Sequence, residues 1–214
     1  TVTILGKDRK DFTAKDKEEL GVVLSDSGFS GYLKIKDIIP ILQNMYSKFD
    51  KSLFIEQVQK FQLPMNKQIK EFSTGMKAKL KVLVAISHNA KLLILDEPTA
   101  GLDPKGRDEI LDSIKDLKEK TGITVILVSH SMEDVAEYVD RIIVMNKGSV
   151  MYDNTPREVF KHYKELEEVG LAAPQVTYIM HDLKARGADV DVDATTIEEA
   201  AEEIARVWKQ NNQK

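Results

Sequence analysis

The sequence contains no cysteine, only six prolines and eleven glycines among 214 residues, and no long apolar run. The lack of cysteine excludes disulfides, thiolate metal sites and cysteine nucleophiles, and an apolar run of roughly 18 residues would be needed to span a bilayer. Lys and Arg number 31 against 35 Asp and Glu, a net charge of −4. Proteins that neutralise phosphate backbones carry a basic excess. We therefore expect a globular protein without a nucleic-acid partner.

Short apolar runs alternate with stretches in which apolar residues recur at helical spacing. Runs of this kind are typical of strands in a parallel sheet that is covered on both faces. The strand candidates are 92–95, 123–128 and 142–145, with 1–5 and 20–24 as weaker ones. This order predicts an α/β fold with a mostly parallel sheet flanked by helices.

Two probable helices interrupt this alternation, and two helical stripes follow it. The first two cover residues 35–46 and 52–63 and predict an inserted helical subdomain. After about residue 165 the strand pattern stops, and the tail predicts a pair of helices packed on the domain or on a second copy. We expect three parts: a core that contains the sheet (1–34 and 73–164), a helical subdomain (35–72) and a helical extension (165–214).

Two adjacent carboxylates, Asp96 and Glu97, follow the apolar run that begins at Leu92. Open parallel sheets bind ligands outside the carboxyl ends of their strands. Neighbouring residues on a strand point to opposite sides, so one acid can hold a metal ion while the other faces a water. The alternative is a surface turn with two solvated acids. The segment from Leu92 to Asp103 resembles the Walker B strand and D-loop of ATP-binding cassette ATPases.

This resemblance implies a P-loop NTPase-like fold with ATP and Mg²⁺ as cofactors. By the same resemblance, Asp96 helps to hold Mg²⁺, Glu97 orients or deprotonates the attacking water, and Asp103 lies in the loop that meets a second subunit. Phosphoryl transfer needs charge neutralisation and a positioned water, and this agrees with those roles.

Three further segments resemble motifs of the same family. Ser73, Thr74 and Gly75 resemble its signature sequence, which implies contact with the γ-phosphate bound to the other subunit; the alternative is a serine cap followed by a permissive glycine. His130 follows a strand candidate and resembles the switch histidine, which implies a hydrogen bond to the γ-phosphate. Ser25 stands where relatives carry the glutamine that touches the metal.

The family's phosphate cradle, Gly-x-x-x-x-Gly-Lys-Ser/Thr, has no counterpart, because no Gly-Lys-Ser or Gly-Lys-Thr occurs in the 214 residues. Residues 1–6 resemble the strand that follows the cradle helix in relatives, so we expect an N-terminally truncated cassette. Residues 1 to about 103 resemble ATPases of ABC-2-type exporters, and 105–214 resemble those of energy-coupling-factor importers.

The function that the resemblance implies is the ATP-binding subunit of a membrane transporter, which couples ATP binding and hydrolysis to transport. Its expected partners are transmembrane permease subunits and a second ATPase subunit, at the cytoplasmic face of the membrane. Two alternatives remain open: a non-hydrolysing cassette that completes a partner's ATP site, and a soluble cassette ATPase without a transport role.

Overall fold

The apolar runs of the sequence form strands in the computed structural model, which describes residues 1–24 and 28–212. The chain divides into two units, Thr1–Val128 and Ser129–Lys214. Among these described residues, the first unit has one hydrophobic core and the second has two smaller ones.

The first unit alternates strands with helices, as the sequence predicts. Its elements are β1 (Thr3–Ile4), β2 (Lys7–Asp8), α1 (Ala14–Lys17), β3 (Leu20–Val23), α2 (Ile35–Met45), α3 (Lys51–Lys60), α4 (Thr74–Ile86), β4 (Leu92–Asp96), α5 (Pro104–Thr121) and β5 (Thr124–Val128). The strands β3, β4 and β5 form a parallel sheet in that order. The strand candidate 1–5 contributes only β1, which pairs with β2 in a small antiparallel hairpin.

One face of the parallel sheet packs against helices. Leu93 and Leu95 of β4 are fully buried there, in a core that they share with residues of α2, α3, α4 and α5. Gly21 of β3 lies against α4 so closely that a Cβ in its place would lie 2.6 Å from the carbonyl oxygen of Ala85. The glycine therefore allows the helix to approach the sheet.

The opposite face of the same sheet is exposed. Val22, Ile126 and Val128 are apolar, and each of these residues is 46–50% exposed. The register places Val22 beside Ile94 and Ile94 beside Ile126, so these side chains form one continuous surface. The prediction that the run 123–128 is covered on both faces is therefore wrong for this structure.

The second unit contains five helices and one hairpin among its described residues. Its elements are α6 (Met132–Tyr138), β6 (Ile142–Asn146), β7 (Ser149–Asn154), α7 (Pro156–Phe160), α8 (Tyr163–Glu168), α9 (Gln175–Ala185) and α10 (Ile197–Asn212). β6 pairs antiparallel with β7. Val144 is buried but Ile143 and Met145 are exposed, so β6 is covered on one face only and the expectation of a doubly covered strand is wrong here as well.

The fold class predicted from the sequence is confirmed: the protein is mixed α/β, with a parallel sheet flanked by helices. The two helices expected between residues 35 and 63 are α2 and α3, and the two expected in the tail are α9 and α10. The three-part division with boundaries at 34, 72 and 164 stays a prediction. None of the helices within residues 1–24 and 28–212 combines the length and the hydropathy of a membrane span.

Candidate functional site

Asp96 is the last residue of β4 and lies at the carboxyl end of the parallel sheet. Side chains alternate along a strand, so Asp96 shares a face with Ile94 rather than with the buried Leu95. The carboxylate is half-buried and stands at the end of the exposed apolar face. Asp96 therefore lies at the edge of the sheet, beside the exposed apolar face.

Glu97 follows Asp96 in a left-handed backbone conformation, with φ of +47°. Its N–H donates to the carbonyl oxygen of Val128 at 2.9 Å, and its own carbonyl accepts from the N–H of Ala100 at 3.1 Å. The first bond ties the turn to the end of β5, and the second closes the turn. A non-glycine residue in this region costs free energy, and such residues cluster at functional sites.

The start of α4 contacts the loop that follows this turn. Gly101 has a φ of +75°, and a Cβ on it would lie 2.7 Å from the Cγ2 of Thr74. A Cβ on Gly75 would likewise lie 3.0 Å from the Cδ2 of Leu102. The two glycines therefore allow the signature-like segment (residues 73–75) to contact the D-loop-like segment (residues 100–103).

Two of the predicted site residues cap helices. The Oγ of Ser73 accepts from the N–H of Met76 at 3.2 Å, at the start of α4. The Oδ1 of Asp103 accepts from the N–H of Gly106 at 2.7 Å, at the start of α5. Both capping bonds are local, and each satisfies a backbone donor that the first turn of a helix leaves without an intrahelical partner.

An ion pair joins the two helices whose starts border the site. The ammonium group of Lys79 on α4 lies 2.8 Å from a carboxylate oxygen of Glu109 on α5, and only 17% of the lysine side chain is accessible. The ammonium group also lies 5.4 Å from the centre of the Phe61 ring. Lys77, Lys79 and Lys81 alternate along the sequence, and this pattern does not indicate which of the three lysines is buried.

The remaining predicted residues lie elsewhere. His130 is exposed and belongs to the second unit, between β5 and α6. Ser25 lies outside the described residues. In the first unit the chain brings together Asp96 and Glu97 in one turn, and Thr74 and Gly75 against the loop that precedes Asp103.

A magnesium ion bound with a nucleotide needs one or two carboxylates, with water and phosphate oxygens as the other ligands. No group of three or more His, Asp or Glu in the described part of the chain could hold a metal ion by itself. Asp96 with its neighbour Glu97 fits the smaller requirement of a nucleotide-bound magnesium ion, and does not fit a metal site built by protein side chains alone.

Comparison with known proteins finds a matching family model and similar ATP-binding proteins. A family model described as "AAA domain, putative AbiEii toxin, Type IV TA system" matches residues 11–134. The chain is 50% identical over 138 residues to the energy-coupling factor transporter ATP-binding protein EcfA2 of Clostridium tetani, which covers 64% of this chain and 48% of that protein. The corresponding EcfA1 protein of Caldanaerobacter subterraneus subsp. tengcongensis is 46% identical over 134 residues, 63% of this chain and 48% of that protein.

Two solved structures show the same fold. An ATP-binding subunit of an ABC transporter superposes with a TM-score of 0.67 at 19% identity, over 85% of this chain and 75% of that chain. A dimeric ATP-binding cassette in a post-hydrolysis state, bound to ADP and phosphate, superposes with a TM-score of 0.60 at 22% identity, over 69% of this chain and 67% of that chain.

The chain belongs to this AAA-domain family, and its resemblance to ATP-binding cassette ATPases is confirmed. It spans about half the length of the curated relatives it matches. The predicted difference between an exporter-like first half and an importer-like second half stays a prediction, because these alignments do not separate the two.

Proposed function

We propose that the chain forms part of an ATP-binding subunit that couples ATP binding and hydrolysis to transport across a membrane. The observation that carries this proposal is the pair Asp96 and Glu97 at the carboxyl end of β4, with the Glu97 turn anchored to the end of β5. The names of the curated relatives support the transport role, since they are ATP-binding proteins of energy-coupling factor transporters.

Each acid has a separate task in this proposal. Asp96 ligates the magnesium ion, which neutralises phosphate charge when it is bound. Glu97 orients the attacking water and accepts its proton. The bond from its N–H to the carbonyl of Val128 holds the Glu97 backbone in the left-handed turn, so that the residue is positioned before substrate arrives. His130, which follows β5, is proposed to donate a hydrogen bond to the γ-phosphate.

The signature-like segment serves a second ATPase subunit. Thr74 and Gly75 begin α4, where free backbone N–H groups and the helix dipole favour an anion. We propose that they meet the γ-phosphate of a nucleotide held by that second subunit. Their contact with Gly101 and Leu102 then links this phosphate contact to the loop that follows Glu97.

Transmembrane permease subunits complete the transporter in this proposal. The helices α2 and α3 provide the docking surface for the permease, and the subunit is attached to the cytoplasmic face of the membrane through that contact. The relatives are named as ATP-binding proteins of transporters, which supports partners that span the membrane.

The test uses the full-length product of the gene. We expect Glu97→Gln to keep ATP-induced dimers but to lower hydrolysis by about 100-fold or more, since a positioned general base contributes about 10²–10⁴ in rate. Glu119→Gln is the matched control, because Glu119 is an exposed glutamate on α5. His130→Ala should lower turnover too. Unchanged turnover in Glu97→Gln would remove Glu97 from its role.

A second function has a specific observation in its favour. No Gly-Lys-Ser or Gly-Lys-Thr occurs in the 214 residues, so a chain of this sequence alone has no lysine of that motif for the β- and γ-phosphates. Such a chain can still offer Thr74 and Gly75 to a site whose cradle belongs to a partner. This alternative predicts ATP-dependent association with an intact cassette ATPase, such as the Clostridium tetani relative, without hydrolysis by the chain alone.

A further inference from the structure

A small cavity lies within the second unit, where α7 and α9 meet the segment that leads into α10. Its volume is about 110 Å³. A cavity of about 150 Å³ can bind benzene, so this one holds a molecule of that size or smaller. The proposed ATPase function assigns no role to this cavity.

One buried polar group in the wall of the cavity has no hydrogen-bond partner. Thr177 on α9 is 3% exposed, and its Oγ1 makes no hydrogen bond with any group among the described residues. A buried hydroxyl without a partner costs free energy, and most such groups in folded proteins are hydrogen-bonded. Because Thr177 lines the cavity, a molecule bound there can supply the missing bond.

The wall of the cavity has an apolar part and a charged part. The apolar part consists of Phe160, Val192 and Ala194. The charged part consists of Arg157, Lys161 and Asp193. Arg157 and Lys161 are exposed, so the cavity opens to solvent on their side, whereas Phe160 is buried. Ligand sites typically combine apolar walls with a few polar groups that fix the orientation of the ligand.

The charged groups around the cavity carry one negative charge in excess. The Nη2 of Arg157 donates to a carboxylate oxygen of Glu199 at 2.7 Å. The Nζ of Lys161 donates to Glu158 at 2.7 Å and lies 3.3 Å from the Oδ2 of Asp193. Two cations therefore contact three carboxylates. A ligand that carried only a negative charge would add to this excess, and its binding would be weakened by repulsion.

We propose that the cavity binds a small zwitterion, an α-amino acid with a short side chain such as alanine. The carboxylate of the amino acid accepts hydrogen bonds from the hydroxyl of Thr177 and from further N–H groups of Arg157. Its ammonium group donates to Asp193, because Lys161 alone has to balance both Asp193 and Glu158. The short side chain contacts the apolar part of the wall. Each charge of the ligand then has a partner, as burial of a charge requires.

Isothermal titration calorimetry of the full-length gene product tests this proposal. The titration contains no nucleotide, so its failure is distinguishable from the failure of the proposed ATPase function. The probes are L-alanine, propionate, which lacks the ammonium group, and ethylamine, which lacks the carboxylate. We expect L-alanine to bind, and each single-charge compound to bind at least about tenfold more weakly. Absence of L-alanine binding at millimolar concentration, which would mean that water alone fills the cavity, overturns the proposal, and so does a smaller difference for either single-charge compound.

Thr177→Val distinguishes a ligand-binding role of the hydroxyl from a structural one. The hydroxyl makes no hydrogen bond with the described residues, so its removal should not lower the midpoint of thermal unfolding in the absence of ligand. The affinity for L-alanine should fall by about tenfold or more, because the carboxylate loses a hydrogen bond. Thr124→Val, at an exposed threonine of β5, is the matched control and should leave this affinity unchanged. An unchanged affinity in Thr177→Val overturns the proposed site.

Asp193→Asn tests the contact with the ammonium group. Asparagine keeps the size of the side chain and removes its charge, so the affinity for L-alanine should again fall by about tenfold or more. Asp189→Asn is the control, because the Asp189 side chain is 92% exposed and does not line the cavity. Circular dichroism checks that both variants remain folded. If Asp193→Asn binds L-alanine as tightly as the unaltered protein does, the zwitterion is not held as proposed and the inference is wrong.

Discussion

Replacing Gly101 by alanine tests whether the D-loop-like segment and the signature-like segment are as close as the structure shows. A Cβ on Gly101 would lie 2.7 Å from the Cγ2 of Thr74, whereas the next nearest atom, the Cβ of Thr74, lies at 3.4 Å. The conflict is therefore with a single methyl group. Gly101 also has a φ of +75°, a conformation that an alanine adopts only at a cost.

The two contributions can be estimated separately. A left-handed conformation costs a residue with a Cβ about 1–2 kcal/mol, and overpacking by one carbon costs about 1–3 kcal/mol. We therefore expect Gly101→Ala to lower the free energy of unfolding by about 2–5 kcal/mol. Gly122→Ala is the matched control, because Gly122 has a φ of +68° but no atom within 4 Å of the added Cβ. It should cost only the conformational part.

A double-mutant cycle isolates the contact. Thr74→Ser removes the methyl group and keeps the hydroxyl, so in that background Gly101→Ala should cost no more than Gly122→Ala does. The coupling energy between the two sites, measured by urea unfolding followed by circular dichroism, should be about 1–3 kcal/mol. Equal costs of Gly101→Ala in both backgrounds would refute the contact, and with it the link between the two motifs.

Three further results are expected. Gly21→Ala should cost about 1–3 kcal/mol in chemical unfolding, because the new methyl would lie 2.6 Å from a carbonyl oxygen of α4. Leu95→Ala should cost about 2–5 kcal/mol and Ile126→Ala clearly less, since Leu95 is fully buried and Ile126 is 47% exposed; equal losses would contradict the assignment of faces. Arg206 and a backbone N–H lower the pKa of Glu203 from 4.5 to about 2. The free energy of unfolding should therefore be higher with Glu203 than with Glu203→Gln above pH 4.5, and this difference should fall as the pH is lowered towards 2. Acid unfolding of the two proteins measures the difference.

Much of the fold was predictable from short segments of sequence. The apolar run before Asp96 predicts β4, and the structure has it as a five-residue strand. Helix starts at Asp103, Ser131 and Thr155 are marked by residues that accept backbone hydrogen bonds, and each does so in the structure. These features depend on a few neighbouring residues, which is why the sequence alone was sufficient.

Features that depend on distant parts of the chain were not predictable in the same way. The sequence around His88 matches none of the motifs named above. In the structure His88 is 1% exposed and stacks on Tyr46. One of its ring nitrogens lies 3.1 Å from the carbonyl oxygen of Val84, and the other lies 3.1 Å from that of Leu20. The left-handed turn at Glu97 has no sequence signature either, because glutamate is not a residue that favours it. Both require contacts across the sheet or between a helix and the sheet.

The exposed face of the sheet explains why the burial prediction for the run 123–128 failed, and it borders the candidate site at Asp96. An apolar run indicates that both faces of a strand suit burial, but it does not say what covers them. Along β4 the alternation of side chains places Ile94 and Asp96 on the exposed face, beside Val22 and Ile126 of the neighbouring strands. A group that contacts phosphates held at Asp96 can therefore approach over an apolar surface.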